Sequence, residues 1–210
     1  MTTTSDPALC AIGDVKIDSV SSAFRDNSNY GISLSDRTSL VSTNDVFTRN
    51  RNAGLIANSS GNITLTGAQI SLNLGEGVRV DKSDSGDIRI TNSMVRENTR
   101  SGVGIADESK RVMIRGTSFL MNYGSGVDIA GTVGVVSNVD LGTVNAPGAN
   151  VFGSDGDANL LAGFCNNGGA SVNARGNRWS SCPPTVSIAC SGKIALGGSR
   201  SANVAECSSP

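Results

Sequence analysis

A repeated block of 23 to 25 residues is the feature that most restricts how this chain can fold. The positions that recur in every copy fall at offsets 0, 2, 4, 7, 10 and 14, and apolar residues, Asn and Gly follow one another there in a fixed order. The three clearest copies are Ile63, Leu65, Gly67, Ile70, Asn73, Gly77; Ile88, Ile90, Asn92, Val95, Asn98, Gly102; and Val112, Ile114, Gly116, Phe119, Asn122, Gly126. Earlier copies begin at Leu40 and, more weakly, at Ile17. Five copies in register indicate a structural repeat.

Each copy predicts three short β-strands. Apolar residues two apart mark a strand with alternate side chains inside, and a further pair, such as Val78 and Val80, follows the Gly. The Asn or Gly at offset 4 is typical of a turn that needs a positive φ. One repeat cannot bury three strand faces alone, so the repeats must stack. The sequence therefore predicts an all-β, right-handed parallel β-helix solenoid with three short strands per coil and about six to seven coils.

Stacking also predicts a ladder of asparagine side chains. The Asn at offset 10 recurs in all five copies, and like residues lie over like residues in a parallel stack. Each carboxamide can then bond to the coils above and below, which is a structural role. The predicted rungs are Asn27, Asn50, Asn73, Asn98 and Asn122.

The cysteines divide the chain and indicate its compartment. Four of the five crowd the end, at Cys165, Cys182, Cys190 and Cys207, while Cys10 stands alone. With no Cys-x-x-Cys pair and no His, a zinc or haem site is disfavoured. Four clustered cysteines favour two disulfides, hence a secreted or cell-surface protein. We predict a β-helix domain over residues 1–180 and a disulfide-containing cap over 181–210 that covers the last coil.

Charge and hydropathy exclude several classes of partner. Lys plus Arg number 17 against 18 Asp plus Glu, so the basic excess of a nucleic-acid binder is absent. No apolar stretch is long enough to predict a transmembrane segment. Residues 1–9 are too short and polar for an N-terminal cap. We therefore expect an open first coil that docks with an N-terminal portion of a longer parent chain or with a second copy.

The repeat, together with residues 172–179, resembles the pectate-lyase-like right-handed parallel β-helix superfamily over roughly residues 8–180. That stretch contains the Gly176-Asn177-Arg178-Trp179 ending typical of the closing coil in secreted bacterial members. The resemblance implies the fold and leaves the activity open. The motifs of polygalacturonase-like enzymes are absent, and a His base is impossible. Lyases that use Arg or Lys with calcium remain compatible, but no lyase motif matches, so no catalytic residue is assigned.

A band of arginines is the first candidate binding site. Their offsets place them near the Asn turn on the outside of the coils, where guanidinium groups would bind the carboxylates or sulfates of an acidic polysaccharide. A solvated face that neutralises itself is the alternative, because Asp26 and Glu97 follow two of them directly. The candidate ligand-binding residues are Arg25, Arg49, Arg51, Arg96 and Arg100.

The turn over residues 81–87 is the candidate metal site. Asp81, Asp84 and Asp87 offer hard oxygen ligands to calcium, although such residues are also common in solvated turns. No other cofactor is expected.

The predicted function is an extracellular or cell-surface β-helix scaffold or binding domain that recognises acidic polysaccharide. The alternative is the C-terminal part of a calcium-dependent polysaccharide lyase. An ice-binding solenoid is disfavoured, because no Thr-x-Thr column repeats.

Overall fold

The computed structural model describes residues 6–58, 61–82, 86–106, 111–129, 139–143, 145–153, 157–166 and 172–179. Within these residues the chain forms 21 strands and no helix. The strands, in chain order, are β1 Leu9–Ile12, β2 Lys16–Val20, β3 Ala23–Arg25, β4 Ile32–Ser35, β5 Ser39–Thr43, β6 Val46–Thr48, β7 Leu55–Asn58, β8 Ile63–Thr66, β9 Gln69–Ser71, β10 Val78–Lys82, β11 Asp87–Thr91, β12 Met94–Arg96, β13 Val103–Ile105, β14 Arg111–Arg115, β15 Ser118–Leu120, β16 Ser125–Ile129, β17 Val139–Asp140, β18 Val151–Phe152, β19 Ala162–Asn166, β20 Val172–Asn173 and β21 Arg178–Trp179.

Every third strand belongs to the same sheet, so the chain winds through three parallel sheets of seven strands each. Sheet A contains β1 and every third strand to β19, sheet B runs from β2 to β20, and sheet C runs from β3 to β21. Successive coils pair in the register of the repeat, with Ile63 opposite Ile88 and Ile88 opposite Val112. The predicted parallel β-helix, with three strands per coil, is confirmed.

The repeated apolar residues form one continuous core along the axis of the solenoid. The inward residues of the strands are almost fully buried, including Ile63, Ile88 and Val103. Aromatic rings stack at both ends of the sheet C column, with Phe24 on Phe47 at 5.2 Å and Phe152 on Trp179 at 4.5 Å between ring centroids. Trp179 therefore packs against the core at the last described coil.

The asparagine ladder is present and extends one rung beyond the prediction. Each carboxamide oxygen accepts hydrogen bonds from the backbone and side-chain nitrogens of the preceding Asn, as Asn98 does from Asn73 at 3.2 and 2.9 Å. The sixth rung is Asn159, whose Oδ1 accepts from Asn122 Nδ2 at 2.8 Å. It was not predicted, because the spacing from Asn122 lengthens to 37 residues.

A second polar row lines the turn between sheets B and C. A side-chain oxygen at offset 5 of one coil accepts the backbone N–H of its counterpart in the preceding coil, for example from Ser22 to Asp45 at 2.7 Å and from Thr117 to Asn150 at 3.0 Å. The residue before the row has a positive φ, as predicted, at Asn44, Gly67 and Asn92. The acceptors are Asp45, Ser93, Thr117, Asn150 and Asn177.

A column of glycines fixes the approach of neighbouring coils where sheet C leads into sheet A. A Cβ on Gly77 would lie 2.6 Å from the carbonyl oxygen of Gly102, and a Cβ on Gly102 would lie 2.6 Å from that of Gly126. Each would also crowd the ladder, at 3.0 and 3.1 Å from an Asn Nδ2. Backbone atoms cannot move aside cheaply, so only Gly fits at these positions.

The predicted cap over residues 181–210 lies outside the described residues, and so do Cys182, Cys190 and Cys207. The division of the chain and its disulfides therefore stay predictions. Cys10 has a free thiol and is exposed, while Cys165 is buried in β19. The described residues contain no helix long and apolar enough to cross a membrane.

Candidate functional site

The outer face of sheet A changes character along the solenoid. Its central column reads Cys10, Ser33 and Ile56 in the first three coils, and then Arg79, Gly104 and Asp128 in the next three. These side chains point outward because their neighbours on each strand are the buried core residues. Charge is therefore concentrated on three adjacent coils of this face.

A groove with a volume of about 170 Å³ lies over those three coils. We call it the sheet A groove. Its polar lining comprises Glu76, Arg79, Asp81, Arg100, Ser101 and Asp128. The lining residues come from β10, β13, β16 and the adjoining turns, so the groove exists only once the coils have stacked.

Gly104 shapes the floor of the sheet A groove. It stands between Arg79 and Asp128 in the register of the sheet, and a Cβ there would lie 3.1 Å from Cγ of Glu76. The absence of a side chain lets Glu76 lie across the strand instead of pointing into solvent. Only 14% of the Glu76 side chain is exposed, although Glu usually lies on the surface.

Both arginines of the groove already have acidic partners. Arg79 Nε donates to Asp81 Oδ1 at 2.6 Å, and this hydrogen bond raises the pKa of Arg79. Arg100 Nη1 contacts Glu76 Oε1 at 3.4 Å, a long contact made by a side chain that is 63% exposed. The first pair is tight, whereas the second leaves Arg100 free to turn away.

Two carboxylate oxygens in the groove have no hydrogen-bond partner among the described atoms. They are Glu76 Oε2 and Asp128 Oδ1, and both are buried. Burial raises the pKa of Asp128, and repulsion from Glu76 raises it further, while a hydrogen bond with Ser101 opposes the shift. A buried acceptor without a donor is costly and rare in native proteins, so a donor supplied by a ligand at these two oxygens would be favourable.

A larger groove of about 350 Å³ lies on the outer face of sheet B. Its charged side chains pair with one another or with a neighbour. Asp87 accepts from Arg111 at 2.8 Å through both oxygens and from Arg89 at 3.4 Å, and Asp140 pairs with Arg115 at 2.6 Å. The hydrogen bond from Arg111 lowers the pKa of Asp87. Satisfied ion pairs across coils indicate a structural face, so volume alone does not make this groove the better candidate.

The predicted arginine band is divided by the register of sheet C. Arg25 and Arg96 share one column, but Thr48 and Ser71 lie between them. Arg49 makes a two-pronged ion pair with Asp26 of the preceding coil at 2.7 and 2.8 Å, and Arg96 lies 3.5 Å from Glu97. Arg51 is exposed at the turn, and Arg100 alone of the five lines the sheet A groove.

The predicted calcium turn is described only at its ends. Asp81 bonds to Arg79, and Asp87 bonds to Arg111 and Arg89. Asp84 lies outside the described residues. No group of three His, Cys, Asp or Glu side chains that suits a metal ion occurs in the described part of the chain. The calcium site therefore stays a prediction.

Sequence reasoning selected Arg100 and Asp81 but missed Glu76, Arg79 and Asp128. A signal was present, because Arg79 and Asp128 are the middle residues of Val78-Arg79-Val80 and Val127-Asp128-Ile129. Alignment of those middle positions by the repeat would have placed them on one outward column, with Gly104 between them.

Comparison with known proteins agrees with the fold. A family model described as the right handed beta helix region matches residues 5–141, which is more than half of the chain. No curated protein matches. No solved structure matches either.

Proposed function

Since the chain belongs to the right-handed β-helix family, whose coils present long outer faces, we propose that it is an extracellular domain that binds a polysaccharide in the sheet A groove. The observation that carries the proposal is the pair of partnerless carboxylate oxygens on Glu76 and Asp128. Sugar hydroxyls are donors that would satisfy them. The extracellular location rests on the cysteine-rich end of the sequence.

The size of the groove favours a chain over a free small molecule. Its volume of about 170 Å³ is below the roughly 300–1,000 Å³ of pockets that enclose a drug-sized ligand. A single unit of a polymer would enter the groove, while neighbouring units lie along the adjacent coils. Binding would then depend on several weak contacts in a row.

An acidic polysaccharide held by the arginine band has less support. Arg49, Arg96 and Arg100 each lie beside a carboxylate of this chain, which a ligand would have to displace. A ligand carboxylate would replace an existing exposed ion pair with another of the same kind, so the net gain from each arginine would be small.

Glycoside hydrolysis is a second candidate function, favoured by the raised pKa of Asp128 beside Glu76. Two neighbouring carboxyl groups, one of which acts as general acid, are the arrangement that most glycosidases use. Asp128 would protonate the oxygen of the leaving sugar. The Glu76 carboxylate would take a proton from the attacking water, so that cleavage yields one new reducing end and one hydroxyl.

One experiment separates binding, hydrolysis and the lyase alternative. The protein is incubated with a panel of neutral and acidic polysaccharides, with calcium and with chelator, while bound protein, reducing ends and ultraviolet absorbance are followed. Retention without new ends supports a binding domain, and new ends without absorbance indicate hydrolysis. A calcium-dependent rise in absorbance from unsaturated uronate indicates a lyase. No retention and no product on any polysaccharide overturns the proposed function.

A further inference from the structure

Two buried acceptors of the sheet A groove receive no hydrogen bond from the donors around them. The two arginines of the groove direct their closest contacts to Asp81 and Glu76. Glu76 Oε2 and Asp128 Oδ1 remain without partners among the described atoms. A ligand that matches the groove must therefore bring hydrogen-bond donors.

The net charge of the groove also disfavours an anionic ligand. Two arginines face three carboxyls, Glu76, Asp81 and Asp128, which gives a net charge of −1 when all are ionised and zero when Asp128 is protonated. Neither state has the net positive charge that would favour an anion. A uronate or sulfate placed beside Glu76 and Asp128 would bring like charges together in a partly desolvated site, where repulsion is strong.

Hydroxyl groups suit both protonation states of Asp128. When the carboxyl is ionised, both partnerless oxygens accept from hydroxyls, and when it is protonated, its O–H donates to a hydroxyl oxygen. A ligand carboxylate can only accept, so it matches neither Glu76 nor an ionised Asp128.

We propose that the sheet A groove selects an uncharged saccharide unit, whose hydroxyls bond to Glu76 and Asp128, and that it discriminates against uronates and sulfated sugars. This inference rests on the proposed function and names its ligand class. Access requires the exposed Arg100 side chain to turn away from Glu76, which its 3.4 Å contact permits. The floor at Gly104 gives the sugar ring room beside Glu76.

The test compares oligosaccharides that differ only in charge. Oligomers of glucose, mannose and galactose are titrated by calorimetry beside uronate oligomers of the same length and linkage. At least one neutral oligomer should bind about tenfold or more tightly than its uronate counterpart. A uronate that binds as tightly as its neutral partner, or more tightly, overturns the inference and leaves the proposed function standing. If no oligomer binds, both the inference and the proposed function are wrong.

Variants of the intact chain place the selectivity at the groove. Glu76→Gln and Asp128→Asn should each weaken binding of the neutral oligomer about tenfold, because each removes an unpaired acceptor oxygen. Asp128→Lys should reverse the preference, weakening the neutral oligomer and strengthening the uronate. The control is Arg37→Gln, which breaks the exposed ion pair between Arg37 and Asp14 on the first two coils, away from the groove, and should change neither affinity.

Thermal unfolding of each variant shows whether it is folded. If Glu76→Gln does not fold, Asp128→Asn carries the test alone. Unchanged neutral affinity in a folded Asp128→Asn would contradict the inference.

Discussion

Two sets of buried polar side chains in the same solenoid meet their hydrogen-bonding needs in opposite ways. Asn73 accepts two bonds from Asn50 and donates to Asn98 and to the carbonyl of Phe47, so its whole capacity is used. Three residues later, Glu76 keeps a buried oxygen with no partner among the described atoms. Stacking satisfies the ladder but not the groove. Of these two sets, only the groove could therefore gain hydrogen bonds from a ligand.

The largest effect is expected where the ladder is broken in the middle. Asn73→Ala removes four hydrogen bonds in the core, so the backbone amide of Asn50 loses this acceptor and the carbonyl of Phe47 loses this donor. The free energy of unfolding should fall by about 2–4 kcal/mol. Urea denaturation followed by circular dichroism measures it.

Asn27→Ala is the control for the central rung. Asn27 lies on the first coil and is partly exposed, so water replaces its bonds more easily. The loss should be about 1 kcal/mol. If the two variants lose equal free energy of unfolding, burial within the stack does not determine what a rung contributes. The contrast between the satisfied ladder and the unsatisfied groove would then be wrong.

Removal of a charge from the groove should not destabilise the protein, in contrast to the loss of a ladder rung. Asp128→Asn abolishes a desolvated charge that Glu76 repels, so stability at neutral pH should stay the same or rise by less than about 1 kcal/mol, because the residue is partly exposed. Binding of the saccharide should fall in the same variant. A stability loss comparable to that of Asn73→Ala would make Asp128 a structural residue.

The pH dependence of stability should distinguish Asp128 from the carboxylates of the ion pairs. Its pKa is raised in the folded state, so between the ordinary value of 3.8 and the raised value the folded protein holds the extra proton. Stability should therefore fall as pH rises through that window and level off above it. Glu76, Arg79, Asp81 and Arg100 face Asp128 across the groove; repulsion from Glu76 increases the amplitude, and the hydrogen bond with Ser101 reduces it.

Asp26 and Asp87 act in the other direction, because the hydrogen bonds from Arg49 and Arg111 lower their pKa values. Their contribution is present above 3.8 and is lost as pH falls below it. Stability of the wild type minus that of Asp128→Asn, measured by denaturation across pH, isolates the Asp128 window. A flat difference would contradict the assignment.

The smallest effect is expected at the floor of the groove. Gly104→Ala places a Cβ 3.1 Å from Cγ of Glu76, which can shift because the carboxylate end of that side chain is flexible. Stability should change by less than about 1 kcal/mol, while saccharide affinity should fall about threefold to tenfold as Glu76 moves. Gly102→Ala is the contrast, since its Cβ meets a backbone oxygen at 2.6 Å. Loss of folding in Gly102→Ala and weaker saccharide binding in a folded Gly104→Ala would show that the first glycine is needed for the stack and the second for the groove.

The sequence was informative wherever one chemical type recurs at a fixed spacing. Strands and ladder rungs up to Asn122 followed from the repeat, but Asn159 did not, because a longer excursion separates it from Asn122. The second polar row was missed because its members change from Asp45 to Ser93 to Asn150. Hydrogen bonding preserves the role of that row without preserving the residue type.

The groove was harder to predict because its chemistry depends on pairing. The offsets placed Arg49 and Arg100 correctly on the exterior, yet whether an arginine is available depends on the acid in the adjacent coil, such as Asp26 or Glu76. The middle residues of the sheet A strands, such as Arg79 and Asp128, do not recur in type from copy to copy, so the repeat did not mark them. The absent side chain of Gly104 and the burial of Glu76 appear only in three dimensions.

The glycine column also makes the solenoid a ruler. Because backbone touches backbone at Gly77 and Gly102, the distance from coil to coil cannot stretch or shrink, and outward residues are spaced at a constant pitch of roughly 4.8 Å. A polymer lying along the axis would meet recognition groups at multiples of that pitch. Insertion of a whole repeat would lengthen the solenoid without changing the spacing of its outward residues. Insertion of part of a repeat would put the strands on the two sides of the insertion out of register.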